Sequence, residues 1–180
     1  GRLELLSVDG REVLLDGAHN PAGAAALAAA LDELRPFLGA GRVTLLTASM
    51  ADKDVGGVVD ALAGSTALAD ARIVATAVAV PRALPADELA RAWSRRSGEP
   101  AGAYRTVAAE PDVDAALDRI LAGPTGPVVV AGSLYLVGAV RARLVDDPLL
   151  HDPTPDDASP PDARDRSRPS AADPGDNPSR

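Results

Sequence analysis

Short runs of β-branched and leucine residues alternate along this chain with longer stretches in which alanine and leucine recur at helical spacing. That alternation restricts the fold more than any single motif does. Val43 to Thr47, Ile73 to Val80, Tyr104 to Ala108 and Val128 to Ala131 read as strands. Asp54 to Leu62, Ala86 to Arg96 and Asp112 to Leu121 read as the intervening helices, and Leu134 to Val145 as a closing helix. Strands separated by helices of this length imply right-handed crossovers and a mostly parallel α/β sheet covered on both faces. The start of the chain departs from the pattern: Leu3 to Val8 and Glu12 to Leu15 are joined by Asp9-Gly10, which suits the φ > 0 positions of a tight hairpin. The expected sheet therefore has about six strands, one of them an antiparallel edge strand. Asn20 is placed to cap, and Pro21 to open, a helix that should run to about Arg35 before Pro36 stops it.

Composition narrows the function classes. The chain of 180 residues suffices for one domain with a single core, and with aromatics at 2% that core must be built from small aliphatic side chains. A net charge of -8 supplies no basic stripe for nucleic acid and no cationic cluster for an anionic membrane. The absence of cysteine removes disulfides, thiolate nucleophiles and Cys-based zinc sites. No apolar run is long enough to span a bilayer, so a soluble, cytoplasmic protein is expected. The division expected is a domain over residues 1–148 and a tail over 149–180. Residues 151–180 hold seven prolines, seven aspartates and four arginines but no large aliphatic or aromatic side chain, a composition that favours disorder.

In an open parallel sheet, ligands bind beyond the carboxyl ends of the strands. The polar residues in those turns are Asp16, His19 and Asn20 after the second strand, Asp52, Lys53 and Asp54 after the third, and Ser133 after the last. Each has a plain structural reading beside a functional one. Asp16 suits a turn former or an acceptor for hydroxyls and ribose; His19 suits a structural histidine, a carboxylate binder or a proton shuttle. Lys53 is the only lysine beside seventeen arginines, and reads either as a solvated turn or as a functional cation. Ser133 suits an N-cap, and no Gly-x-Ser-x-Gly elbow surrounds it, which excludes a serine hydrolase of that kind.

Taken together, Asp16-Gly17-Ala18-His19-Asn20-Pro21 and Gly132-Ser133-Leu134-Tyr135-Leu136-Val137-Gly138 resemble two signatures of the folylpolyglutamate synthase/dihydrofolate synthase family, within the Mur ligase superfamily. Gly1-Arg2-Leu3-Glu4 and Ala51-Asp52-Lys53-Asp54-Val55 resemble further family segments in the same order. The resemblance covers the family's C-terminal, Rossmann-like domain. It implies ATP contacts from Arg2 and Asp16, glutamate contacts from His19, Asn20, Ser133 and Tyr135, and catalytic roles for His19 and Lys53, with no metal ligand in this part. It further implies L-glutamate, folate or dihydropteroate, and ATP with magnesium as ligands, and an N-terminal P-loop domain as partner. No Gly-x-x-x-x-Gly-Lys-Ser/Thr occurs in this chain, so it is expected to be inactive by itself. The alternative is a free-standing α/β module that binds glutamate or nucleotide and catalyses nothing. A ligase acting on cell-wall precursors is a third reading, against which the Gly132 to Gly138 segment argues.

Overall fold

The computed structural model describes residues 3–96 and 106–145. Arg2, Tyr104 and the tail lie outside the described residues. The hairpin forms as expected: β1 (Glu4–Val8) pairs antiparallel with β2 (Arg11–Leu15), and Asp9 and Gly10 at its tip both have positive φ, 49° and 75°. Then follow α1 (Pro21–Leu34), β3 (Thr44–Thr47), α2 (Val55–Ala63), β4 (Arg72–Ala75), α3 (Ala86–Ser94), β5 (Thr106–Ala109), α4 (Val113–Ala122), β6 (Val128–Ala131) and α5 (Leu134–Leu144). The six strands lie in the order β1-β2-β6-β3-β4-β5, and every pair except β1–β2 is parallel.

Period-two alternation distributes the strand residues between two cores. Leu14, Leu45, Ile73 and Val129 point to the face covered by α1, α2 and α3, where Leu27, Leu31, Val59, Leu62, Leu89 and Trp93 meet them. Val13, Leu15, Leu46, Val128 and Val130 point to the other face, onto Leu117 and Ile120 of α4 and Leu136 and Val140 of α5. Strands buried on both faces are mostly apolar: β6 reads as an unbroken hydrophobic run, and β3 sets Leu45 and Leu46 between two buried threonines. Among the described residues no helix is long and apolar enough to cross a membrane.

One strand is shorter than the sequence suggests. The β-branched run Ile73 to Val80 leaves the ladder after Ala75, where the neighbouring strands β3 and β5 end at Thr47 and Ala109. Thr76 N–H makes the last bond to that neighbour, to Thr47 O at 2.8 Å, and Ala77 N–H turns to Pro111 O. Val78 is nonetheless buried in the second core, so its apolar character serves packing outside any strand. Two 3-10 turns, Arg35–Phe37 and Thr66–Leu68, carry no periodicity that sequence reading could detect.

Candidate functional site

The turns at the carboxyl ends of β2, β6 and β3 are fastened to one another by the main chain. Asp16 N–H donates to Val130 O at 3.0 Å, and Gly132 N–H donates to Ala18 O at 2.8 Å, joining the turn before α1 to the turn before α5. Gly132 has φ +104°, and a Cβ there would lie 2.3 Å from Ala48 O and 2.8 Å from Thr47 Oγ1. Only glycine tolerates both that backbone region and that approach. A second splice joins the loop after β3 to the loop after β4: Met50 and Ala83 form an antiparallel bridge, Ala51 N–H donates to Arg82 O, and Leu84 N–H donates to Ser49 O, both at 2.9 Å.

On this frame the side chains fall into defined roles. Asp16 accepts from Ala18 N–H through Oδ1 at 2.8 Å and from Leu3 N–H through Oδ2 at 3.0 Å, so it shapes the turn and holds the start of the domain against it. His19 Nδ1 lies 2.8 Å from Gly17 O. A carbonyl oxygen only accepts, so Nδ1 carries the proton and Nε2 is left as the ring nitrogen available to a ligand. Asn20 caps α1, its Oδ1 accepting from Gly23 N–H at 2.8 Å, with Pro21 in the first turn. Asp54 likewise caps α2 through Gly57 N–H at 2.9 Å. Ser133 caps α5, its Oγ accepting from Tyr135 N–H at 3.2 Å. Ser133 is 2% exposed, yet it lines a cavity and keeps its hydroxyl hydrogen to donate.

That cavity, about 120 Å³, brings together His19, Met50, Lys53, Arg82, Ser133 and Tyr135. The Lys53 ammonium makes no hydrogen bond or ion pair among the described residues. Arg82 Nη1 stands 3.5 Å from Asp52 Oδ2, a distance beyond a charge-assisted hydrogen bond. Two cations, a buried hydroxyl and a histidine nitrogen thus face a space the size of a small amino acid. On the other side of His19 a cleft of about 470 Å³ runs along Leu3, Asp16, Asn20, Ala22 and Ala26. His19 lines both spaces, whereas Asn20 and Asp16 line only the larger one and Lys53, Ser133 and Tyr135 only the smaller. Arg82 and Met50 were not among the candidates from sequence. Arg82 sits in Val80-Pro81-Arg82-Ala83-Leu84-Pro85, a loop whose proximity to Lys53 depends on β4 lying next to β3. A cation in the turn after a strand was the signal, but only strand order places it at the site.

No group of three or more His, Cys, Asp or Glu side chains among the described residues is arranged to hold a metal ion.

Comparison with known proteins bears on the family and the fold. Residues 1–134 match the family model described as Mur ligase, glutamate ligase domain. The folylpolyglutamate synthase of Lacticaseibacillus casei is 33% identical over 146 residues, covering 80% of this chain and 29% of that protein. The dihydrofolate synthase/folylpolyglutamate synthase of Mycobacterium tuberculosis is 37% identical over 166 residues, covering 82% of this chain and 31% of that protein. Among solved structures, the bifunctional folylpolyglutamate synthase/dihydrofolate synthase of Yersinia pestis, complexed with AMPPNP and a Mn ion, superposes with a TM-score of 0.64. It is 25% identical, and the match covers 80% of this chain and 31% of that one. The chain therefore spans about a third of the length of the relatives it matches. With a matching model over most of its length and the mixed six-stranded sheet of its structural neighbour, this chain belongs to the Mur ligase family and carries that family's glutamate ligase domain.

Proposed function

We propose that this domain forms the glutamate side of an ATP-dependent ligase that adds L-glutamate to a folate or to dihydropteroate. The observation that carries the reading is the convergence of His19, Lys53, Ser133 and Tyr135 on one small cationic cavity at the carboxyl ends of β2, β3 and β6. Glutamate enters that cavity and ATP lies in the larger cleft beside Asp16; Arg2, which the resemblance also assigns to the nucleotide, lies outside the described residues. A P-loop domain, expected to precede this one as partner, would hold the phosphates, the magnesium and the acceptor.

The reaction runs in two steps. The γ-phosphoryl group of ATP passes to the acceptor's carboxylate, giving ADP and an acyl phosphate. The amine of glutamate then attacks the acyl carbonyl, an amide bond forms, and phosphate departs with the former acyl oxygen. The attacking nitrogen must shed a proton, and His19 Nε2, with its tautomer set by Gly17 O, is built to accept one. Lys53 faces charge that develops on the departing phosphate. The Ser133 hydroxyl donates to glutamate and Tyr135 walls the cavity, whereas Asn20, expected from the resemblance to touch glutamate, lines the larger cleft instead. Most of the rate comes from holding amine and acyl phosphate together, which is positioning.

The test is a titration of the chain with L-glutamate and, separately, with an ATP analogue, followed by NMR. Glutamate should shift the amides of His19, Ser133 and Tyr135, and nucleotide those of Asp16 and Gly17. His19→Ala should weaken glutamate binding by about 10- to 100-fold, the worth of a lost charge-assisted hydrogen bond. Glutamate shifts that map away from this cavity would overturn the assignment.

A further inference from the structure

We infer that Asp52 is an internal stand-in for the substrate's second carboxylate: it pairs loosely with Arg82, and a dicarboxylic amino acid binds by taking its place. The inference rests on the proposed glutamate cavity and adds to it the residues that select the side-chain carboxylate. L-glutamate carries two carboxylates. The described cavity is lined by Ser133, whose hydroxyl can donate to one carboxylate, and by Arg82, whose guanidinium can take the other.

Three observations favour an exchange over a permanent ion pair. Arg82 and Asp52 lie 3.5 Å apart with side chains 55% and 52% exposed, so the bridge is long, solvated and weak. The main chain beneath it is fixed, because Ala51 N–H donates to Arg82 O and the Met50–Ala83 bridge adjoins it. The guanidinium can therefore change partner without moving its loop. Finally, Arg82 lines the cavity, and a planar guanidinium is the group that takes a carboxylate in two parallel bonds. A ligand with a neutral amide in place of that carboxylate gains nothing from displacing Asp52, so the pair raises selectivity by penalising the wrong side chain.

The experiment is a titration of the 180-residue chain with L-glutamate and with L-glutamine, read by NMR, for the wild type, Arg82→Met, Asp52→Asn and the double variant. Both side chains are half-exposed, so the variants should keep the wild-type spectrum outside the cavity. Arg82→Met should weaken L-glutamate about tenfold and leave L-glutamine within about twofold, erasing the preference. Asp52→Asn should tighten L-glutamate about threefold, and in the Arg82→Met background it should do nothing. Tightening that persists without Arg82 would show general electrostatics and overturn the exchange, as would unchanged selectivity in Arg82→Met; in both cases the glutamate cavity itself would stand. Absence of any saturable L-glutamate binding in the wild type would overturn the cavity assignment, and the exchange with it.

Discussion

The two ends of the sheet use their charged residues differently. At the amino ends of the parallel strands, Arg11 donates to the carbonyls of Ile120, Leu121, Gly123 and Pro124 at 2.9 to 3.3 Å, closing the last turn of α4. Arg35 donates to Gly39 O and Gly41 O, and Glu12 accepts from Gly39 N–H. At the carboxyl ends the Lys53 ammonium makes no bond among the described residues, and Arg82 reaches only a distant carboxylate. The same fold thus consumes its cations where it closes and leaves them available where it opens. A charged residue's place in the sheet decides its role before its chemistry does.

The comparison is broken most severely at the glycines, one at each end. A Cβ on Gly132 would lie 2.3 Å from Ala48 O, and one on Gly126, φ +151°, would lie 2.4 Å from Arg42 O. Gly132→Ala and Gly126→Ala should each cost about 3 kcal/mol, from forced backbone shifts added to an unfavourable φ. Chemical denaturation should find the two alike in stability. Glutamate titration should separate them, because only Gly132→Ala displaces Ser133 and the turn carrying His19. If Gly126→Ala damaged binding equally, the two ends would not be independent.

Next in size is Arg11→Met. Removing a guanidinium that satisfies several carbonyls at a helix end should cost about 1.5 to 3 kcal/mol and leave glutamate binding untouched. Loss of binding in this variant would show that the amino end supports the site through the sheet.

The fold was legible in the sequence to the extent that burial is two-sided. β6, buried on both faces, stands out as an apolar run, β3 as a leucine pair between buried threonines, and the caps Asn20, Asp54 and Ser133 begin helices where turn chemistry suggests. Val78 and Val80 misled because β-branched residues fill the core beyond the end of β4 as well as within it. At the site, Asp16, His19, Lys53 and Ser133 follow strand ends in sequence, and the structure gathers the last three around one cavity. Arg82 was not legible, because its nearness to Lys53 is a product of strand order and of the Met50–Ala83 bridge, neither of which leaves a local pattern.

Asp32 sharpens the comparison from the last turn of α1, where it meets the turn that follows α2. Burial pushes its carboxyl up, but hydrogen bonds from Ser65 Oγ at 2.6 Å and from the amide N–H of Ala67 at 2.9 Å, with further bonds from Thr66, outweigh burial and hold it below the ordinary carboxylate value. Because the folded value is depressed, the stabilisation is complete above the unfolded-state value and fades as pH falls through the folded one. Asp32→Asn should cost about 1 to 2 kcal/mol at neutral pH, and the gap from wild type should close below about pH 4. A gap constant down to acid pH would mean that the ionised carboxylate contributes nothing beyond its shape.

The smallest effect on stability is expected where the sequence is most unusual. Lys53, the single lysine, has an ammonium that makes no hydrogen bond or ion pair within the described residues, so its charge is expected to add little to folding. Lys53→Met should change the unfolding free energy by no more than about 0.5 kcal/mol, as for surface positions that support no structure. The same substitution should weaken L-glutamate binding about tenfold if the carboxyl end holds its cations for a ligand. Arg11→Met and Lys53→Met are therefore opposites: one removes stability and spares binding, the other removes binding and spares stability. Denaturation and titration of both variants would test that opposition directly. A Lys53→Met protein that lost stability but bound normally would place Lys53 with Arg11, among the cations the fold uses for itself.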